Sequence, residues 1–536
     1  MKSNKHINPL FNAISPRFLT VGLLAIILLA PTLLSAQYYQ DAIRFSNTTP
    51  LGSARIQALG GSSVALGADP SSIVTNPAGL GLYNRSEFTI TPAFNYTLSR
   101  TDLNGTRTTD ELPKWSLDQI SGVLSQSREG IGGWLGGAWG ISVQKINDFN
   151  SSYTYNGTNN TSSIIDYFVE SAWGAPTTQF PAPSDAFDLT SLAYYNYLIG
   201  PWTVVDSTYA NDEYFSDVTF LGSSFLRPTL QQHETVTTKG SQYQINFGYG
   251  GNFADVLYLG FNVGLTTLQY KSIKTYREDS FDYSQTDEPD HHPLNDFDLT
   301  EELAINGAGA NLTVGIIVRP IPIFRIGASI TTPTAYALND SYGTTMGANW
   351  NNFLYGDIID GDTLLNKTYM ESPYIESNYN LKTPMKYALG TAVFFGKLGF
   401  VTLDAELLDY SNTWLKSDNA SLDAALESDN NYIWDNYDKR VNLRAGAELR
   451  LSPVRLRAGY AINGTPNDHS SSLKFYNQTF SAGVGVLFDQ FYADFAAVYK
   501  YQKSQYSPYL LPDRSEPIVD IAQNTIRTVL TLGFRF

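Results

Sequence analysis

The sequence predicts an all-β protein, a transmembrane outer-membrane β-barrel of about fourteen antiparallel strands with an N-terminal segment held in its lumen and long extracellular loops. Three observations lead there. Apolar and polar residues alternate with period two in run after run, which puts one face of each strand against something apolar. Short turn-forming connections alternate with long ones, the asymmetry of outer-membrane barrels between periplasmic and extracellular ends. Beyond the leader, no apolar run reaches the roughly 18 residues of a spanning helix.

The leader is residues 1–36. Lys2, Lys5 and Arg17 precede an apolar run from Leu19 to Leu34, interrupted by Pro31, and the small pair Ser35 and Ala36 follows. This is the pattern of a secretory signal peptide cleaved after Ala36. Its removal takes three cations and no acid from a net charge of −16, leaving −16 − 3 = −19. An acidic chain lacks the basic footprint that nucleic acid requires. The absence of Cys means that an exported chain must rely on packing or sheet closure and not on disulfides.

The C-terminus carries the clearest strand. Ile526, Thr528, Leu530, Leu532, Phe534 and Phe536 share one face, Arg527, Val529, Thr531, Gly533 and Arg535 the other. In residues 440–451, Val441, Leu443, Ala445, Ala447, Leu449 and Leu451 alternate with Arg440, Asn442, Arg444, Gly446, Glu448 and Arg450. That many charges on one face suit a wet or plugged lumen, not a sandwich core. Strands are expected near 87–100, 116–126, 132–147, 234–251, 255–273, 299–319, 323–342, 374–395, 398–412, 438–451, 454–464, 473–488, 491–503 and 524–536. Long connections are expected at 101–115, 148–233, 274–298, 343–373, 413–437, 465–472 and 504–523. The largest, an insertion at 148–233, contains two stretches fit for short amphipathic helices, around Ile164–Val169 and Phe187–Leu198.

Residues 37–86 are different: Leu51 to Ile90 is rich in Gly, Ala and Ser with isolated apolar residues, too few to bury a core of their own. Gly60, Gly61, Ala65, Asp69, the Asn76-Pro77-Ala78 triplet, Gly79 and Leu80 resemble the N-terminal hatch of the FadL/TodX family of outer-membrane transporters for hydrophobic compounds. The stretches from Arg325, Thr383 and Arg444 look most like the Bacteroidetes-type branch. The resemblance covers nearly the whole mature chain, and the 148–233 insertion departs from it. It implies a barrel over 87–536 plugged by a 37–86 hatch, in which Gly60, Gly61, Asp69, Asn76, Pro77 and Ala78 gate passage. It also implies passive uptake of long-chain fatty acids or aromatic hydrocarbons, with outer-membrane lipid and a hydrophobic small molecule as partners. In the family the third strand kinks inward and opens the wall sideways. Here that strand holds Gly132, Gly133, Trp134, Gly136 and Gly137, and clustered glycines serve either such a kink or close packing against the hatch.

Little else points to chemistry. No hydrolase, nucleotide or zinc-protease motif stands out, so no enzyme and no cofactor are expected. His291 and His292 lie in an acidic loop and are the weak candidates for a metal, and Asp357, Asp360 and Asp362 form a weaker one. Arg325 and Arg444 are candidates to meet a ligand carboxylate, or to pair with Asp404, Glu406 or Glu448. Two alternative functions remain open on the same barrel: a scaffold or shuttle binding a protein partner through its loops, as in type IX secretion, and a haemin receptor.

Overall fold

The structure is a computed structural model that describes residues 38–49, 51–131, 133–180, 186, 188–204, 210, 212–219, 228–284, 292–356, 361–464, 466 and 476–536. The leader lies outside the described residues. One antiparallel sheet closes on itself as fourteen staves. They are β1 (Glu87–Leu103), β2 (Thr106–Ile131), β3 (Trp134–Asp148, continuing as Ser151–Asn159), β4 (Thr229–Phe253), β5 (Leu257–Asp282) and β6 (Leu294–Ile321). Next come β7 (Phe324–Thr331, continuing as Ala335–Tyr355), β8 (Thr363–Glu371, Ile375–Lys382 and Lys386–Phe394) and β9 (Gly399–Asp409, extended by Trp414–Lys416). The last are β10 (Lys439–Leu451), β11 (Val454–Gly464), β12 (Tyr476–Leu487), β13 (Phe491–Tyr506) and β14 (Val519–Arg535). Closure is between first and last, with Glu87 opposite Arg535 and Asp102 opposite Asp520.

The alternation seen in the sequence becomes an inside and an outside. On β5, Leu259, Phe261, Val263 and Leu265 face outward and are 42, 39, 43 and 54% exposed, as are Val441, Leu443 and Leu449 on β10 and Ile526 and Leu532 on β14. A continuous apolar band around a closed sheet is far larger than the apolar patches that water tolerates, so its neighbour is hydrocarbon. Facing inward, Arg444, Glu448, Arg457 and Arg527 are buried and paired: Arg457 with Glu448 at 2.8 Å and Asp494 at 2.6 Å, Arg444 with Glu406 at 2.8 Å, and Arg527 with Asp118. The chain is a transmembrane β-barrel of the outer-membrane type. Among the described residues no helix is long and apolar enough to cross a membrane.

Three expected loops prove to be structured. The connection at 101–115 is a two-residue turn: Asn104 and Gly105 both adopt left-handed φ (50° and 87°), and β1 and β2 stay paired from Glu87↔Val123 to Leu103↔Thr106. An Asn-Gly turn of this kind matches the twist of a hairpin. The 343–373 stretch is an outward arm in which Thr345–Tyr355 pairs with Thr363–Glu371, and 413–437 contains a helix, Ala420–Asn436, N-capped by Asn419. Strands outrun the bilayer here, and beyond it both faces are wet or both are covered, so period-two patterning disappears while pairing continues.

The long insertion builds a cap at the outer end. Helix Ile164–Ala172 starts at a capping box of Ser163 and Asp166, helix Leu189–Tyr195 starts on Asp188, and Ile165, Phe168, Leu192 and Leu198 pack with Phe297 and Met346 of the wall.

Candidate functional site

Residues 38–49 and 51–82 lie inside the barrel as helix α1 (Tyr38–Ser46), the one-turn helices α2 (Ala54–Ala58) and α3 (Ser72–Thr75), and a 3₁₀ turn from Pro77 to Leu82. The Asn76-Pro77-Ala78 triplet starts that turn. The Asn76 side-chain Oδ1 accepts the Ala78 N–H at 3.2 Å, its side-chain Nδ2 donates to Val64 O at 2.7 Å and to Ile316 O of β6 at 3.2 Å, and Pro77 occupies the first position, where no N–H is needed. One side chain thus caps the turn, ties it to the preceding loop and moors it to the wall. Asp69 accepts the Ser53 hydroxyl at 2.9 Å and the Ser71 N–H at 3.0 Å. Gly60 and Gly61 take left-handed φ (68° and 83°), and the Gly60 N–H reaches Ser481 of β12 at 3.0 Å.

The wall meets this segment with glycines. A Cβ built on Gly250, Gly260, Gly327 or Gly446 would lie under 3.0 Å from backbone atoms of Pro77, Pro77, Val64 and Leu59 respectively. Each comes from a different stave, so together they form a seat that only backbone fits. Sequence reasoning missed it, reading glycines as meaningful only where they cluster. The available signal was a lone inward-facing Gly in stave after stave.

In the glycine-rich third strand, Gly132 is outside the described residues. Gly133 has open space around it, and Trp134 lies between Tyr249 and Phe253 with ring centroids 6.3 and 4.6 Å away. Gly136 has φ 112°, while Gly137 abuts Gly250 O and the Tyr249 ring. Gly140 abuts Ile73 and Leu80 of the inner segment.

Higher on the same strand the wall changes. The β2–β3 ladder ends at Gln119↔Gln144, while β1 and β2 go on pairing to the Asn104 turn. Near Lys145 and Asn147 the β3–β4 register shifts, and Ser151–Asn159 follows β4 inward, behind β1 and β2. There Tyr155 is fully buried against Leu103 and Ile521. The edge of β2 over 106–118 has no ladder partner on that side among the described residues. Side chains bridge the lap: Asp110 accepts the Thr154 N–H at 2.7 Å, Thr101 donates to Thr154 O at 2.7 Å, and Tyr243 of β4 donates to Leu117 O at 3.0 Å. Pro113, inside this edge, is the sequence signal for it, because Pro avoids strands paired on both sides.

Between the inner segment and the cap lies a cavity of about 1840 Å³. Its floor includes Gln57, Gly60 and Gly61 and its roof Tyr167, Phe180 and Leu189, with Tyr153, Tyr270 and Lys500 among the wall residues. Of the two arginines singled out, Arg444 is engaged with Glu406, and Arg325 donates to Leu66 O at 2.7 Å and lies over the Phe394 ring. His292 packs edge-on against Tyr283, 5.2 Å between rings. His291, Asp357 and Asp360 lie outside the described residues. Among the described residues no group of three or more His, Cys, Asp or Glu side chains is placed to hold a metal ion.

The roof is attached to the wall through Glu278, thirteen residues beyond Leu265, the last apolar belt position on β5, and so well outside the bilayer. The buried Glu278 carboxylate accepts the Ile164 N–H at 3.0 Å, the Tyr276 hydroxyl at 2.6 Å, the Gln232 amide at 2.9 Å and the Ser163 hydroxyl. Burial pushes its carboxyl up to about 7 in spite of those donors.

No protein-family model matches the chain, and comparison with curated proteins gives no match. Solved structures do match. A Pseudomonas aeruginosa FadL homologue superposes with a TM-score of 0.53 at 11% identity, covering 91% of this chain and 99% of that one. The P. putida toluene transporter TodX gives 0.50 at 12% identity, with 91% and 99% covered. A TodX variant described as a deltaS2 mutant of a monoaromatic hydrocarbon channel gives 0.51 at 12%, with 90% and 98% covered. At such identities the likeness is one of fold: the chain has the fourteen-stave architecture of FadL-like barrels.

Proposed function

We propose that the protein is a passive channel for hydrophobic small molecules in the outer membrane, with residues 37–86 as its hatch. Ligands enter at the outer end, dwell in the cavity beneath the cap, and leave sideways through the lap between β2 and β3. The observation that carries this reading is the end of the β2–β3 ladder at Gln119↔Gln144. Above it the wall is held by a few side-chain hydrogen bonds, each worth about 1 kcal/mol. A continuous ladder would have to break cooperatively, whereas a lap held this way opens one contact at a time. Trp115 and Leu117, both exposed on β2, place the lap at the outer edge of the apolar belt. The fold shared with the FadL homologue and TodX supports the same reading.

The chain has no Cys, so a single engineered pair reports cleanly. A strain lacking the gene should take up toluene or oleate more slowly. The D110C/T154C variant should restore uptake when reduced and lose it when oxidised. Normal uptake without the gene overturns channel function; normal uptake through the oxidised pair overturns the sideways exit.

A further inference from the structure

A patch of outward-facing cations stands at the outer edge of the apolar belt, in a chain whose net charge is −16. Leu381 of β8 and Leu415 of β9 lie opposite one another and are buried on the inward side, so their chain neighbours point away from the lumen. Those neighbours include Lys382, opposite Trp414, and Lys416, opposite Asn380, all four exposed. The two lysines are therefore diagonal neighbours on adjacent strands, about 7–8 Å apart along the wall. Lys382 shares a register row with Ala335, Ala310 and Leu265, the last apolar belt position on β5, and Lys416 stands one row further out. Neither ammonium has a hydrogen bond or ion pair among the described residues, although Glu376 on the same strand as Lys382 and Asp418, two residues past Lys416, are exposed. In open water such a pair needs no partner; at the rim of a bilayer it meets lipid headgroups.

The surface around the lysines is ordered in three tiers. Toward the bilayer, Ile330, Tyr387 and Leu407 sit opposite one another on β7, β8 and β9 and are 42, 46 and 41% exposed. At the lysines, Trp414 is 53% exposed, and its amphipathic ring belongs at headgroup depth. Away from the bilayer come the exposed amides of Asn378 and Asn339, joined by a hydrogen bond of 3.2 Å from Asn339 Nδ2 to Asn378 Oδ1. We propose that this outer face of β7–β9 holds a phosphorylated, acylated saccharide of the outer leaflet: its acyl chains on the apolar tier, a phosphate between Lys382 and Lys416, and its sugar against the amides. Two lysines on neighbouring strands can donate to one phosphate from both sides, and amides offer the donors and acceptors that sugar hydroxyls use. The site is on the outside of the barrel and independent of passage through its lumen.

The test measures binding of diphosphoryl lipid A, dephosphorylated lipid A and phosphatidylglycerol to the full-length mature protein in detergent micelles, read by native mass spectrometry. Diphosphoryl lipid A should bind at least tenfold more tightly than the dephosphorylated form. That ratio should fall to near one in K382Q/K416Q and persist in K382R/K416R, with the heat-modifiable gel mobility of a folded barrel kept in both. Should the double variant fail to fold, K382Q and K416Q are read singly against the same ratio. Equal binding of the two lipid A forms, or a ratio unchanged by the glutamines, overturns the inference. Phosphatidylglycerol bound as tightly as lipid A overturns it too, by assigning the lysines to any anionic lipid, as does displacement of lipid A by excess inorganic phosphate. None of these readouts involves uptake, so the channel reading stands or falls separately.

Discussion

Asp404, on the inward face of β9, accepts the Ser63 backbone N–H at 2.6 Å and the Val64 N–H at 2.9 Å through one carboxylate oxygen. A wall carboxylate thereby stands in for the backbone partner that an irregular inner segment cannot supply itself. Replacing Asp404 by Ala strands two buried donors, at a cost of about 1–3 kcal/mol, or roughly 5- to 150-fold in an opening equilibrium. Amide exchange over residues 60–66 should accelerate by that factor, while the heat-modifiable gel mobility of the folded barrel is unchanged. Unchanged exchange would mean that the Asp404 contact does not hold the inner segment.

Gly260 tests the seat from the other side. A Val there suits the strand but drives its Cβ into the backbone of Pro77 and Ala78, which cannot swing away as a side chain could. The G260V barrel should assemble and conduct measurably more than the wild type in planar bilayers. The control is G122V: a Cβ at Gly122 meets only Ile141, at 3.7 Å. If both variants conduct alike, a tight seat is not what closes the lumen.

Glu278 gives the cap a pH dependence. Its folded-state pKa of about 7 lies above the ordinary 4.5, so protonation favours the docked cap. The contribution is complete below about 4.5 and is lost as pH rises through about 7. Tyr276 and Tyr509 stand beside it, but burial pushes both phenols up, beyond this window, and Asp166 is engaged by the Ser163 N–H. Proteolysis of the 160–219 region should therefore quicken between pH 5 and pH 8, and E278Q should flatten the profile. An unaltered profile in E278Q would place the titrating group elsewhere.

The membrane-facing half of the structure was legible because its cause is local. Val441 and Leu443 point outward and Arg444 and Glu448 inward through the alternation of a single strand, whatever the rest of the chain does. The Asn104-Gly105 turn was just as local, yet a long loop was expected at 101–115 because β1 and β2 lose their apolar alternation well before they stop pairing. The β2–β3 lap was harder. Its one local mark is Pro113, and an unpaired edge becomes visible only when the intended partner, Ser151–Asn159, is found pairing with β4 and packed behind β1.

By itself, then, the sequence determined the class of protein: an exported, acidic, cysteine-free chain whose strands have one apolar and one polar face and whose N-terminal stretch cannot bury a core. Only the tertiary structure decided the partners. Barrel closure sets Gly260 against Pro77, Asp404 against Ser63, and Gln144 against Gln119, where the β2–β3 ladder ends. Those relationships join residues far apart along the chain and depend on the stagger of fourteen staves, a property of the closed sheet that no single strand encodes.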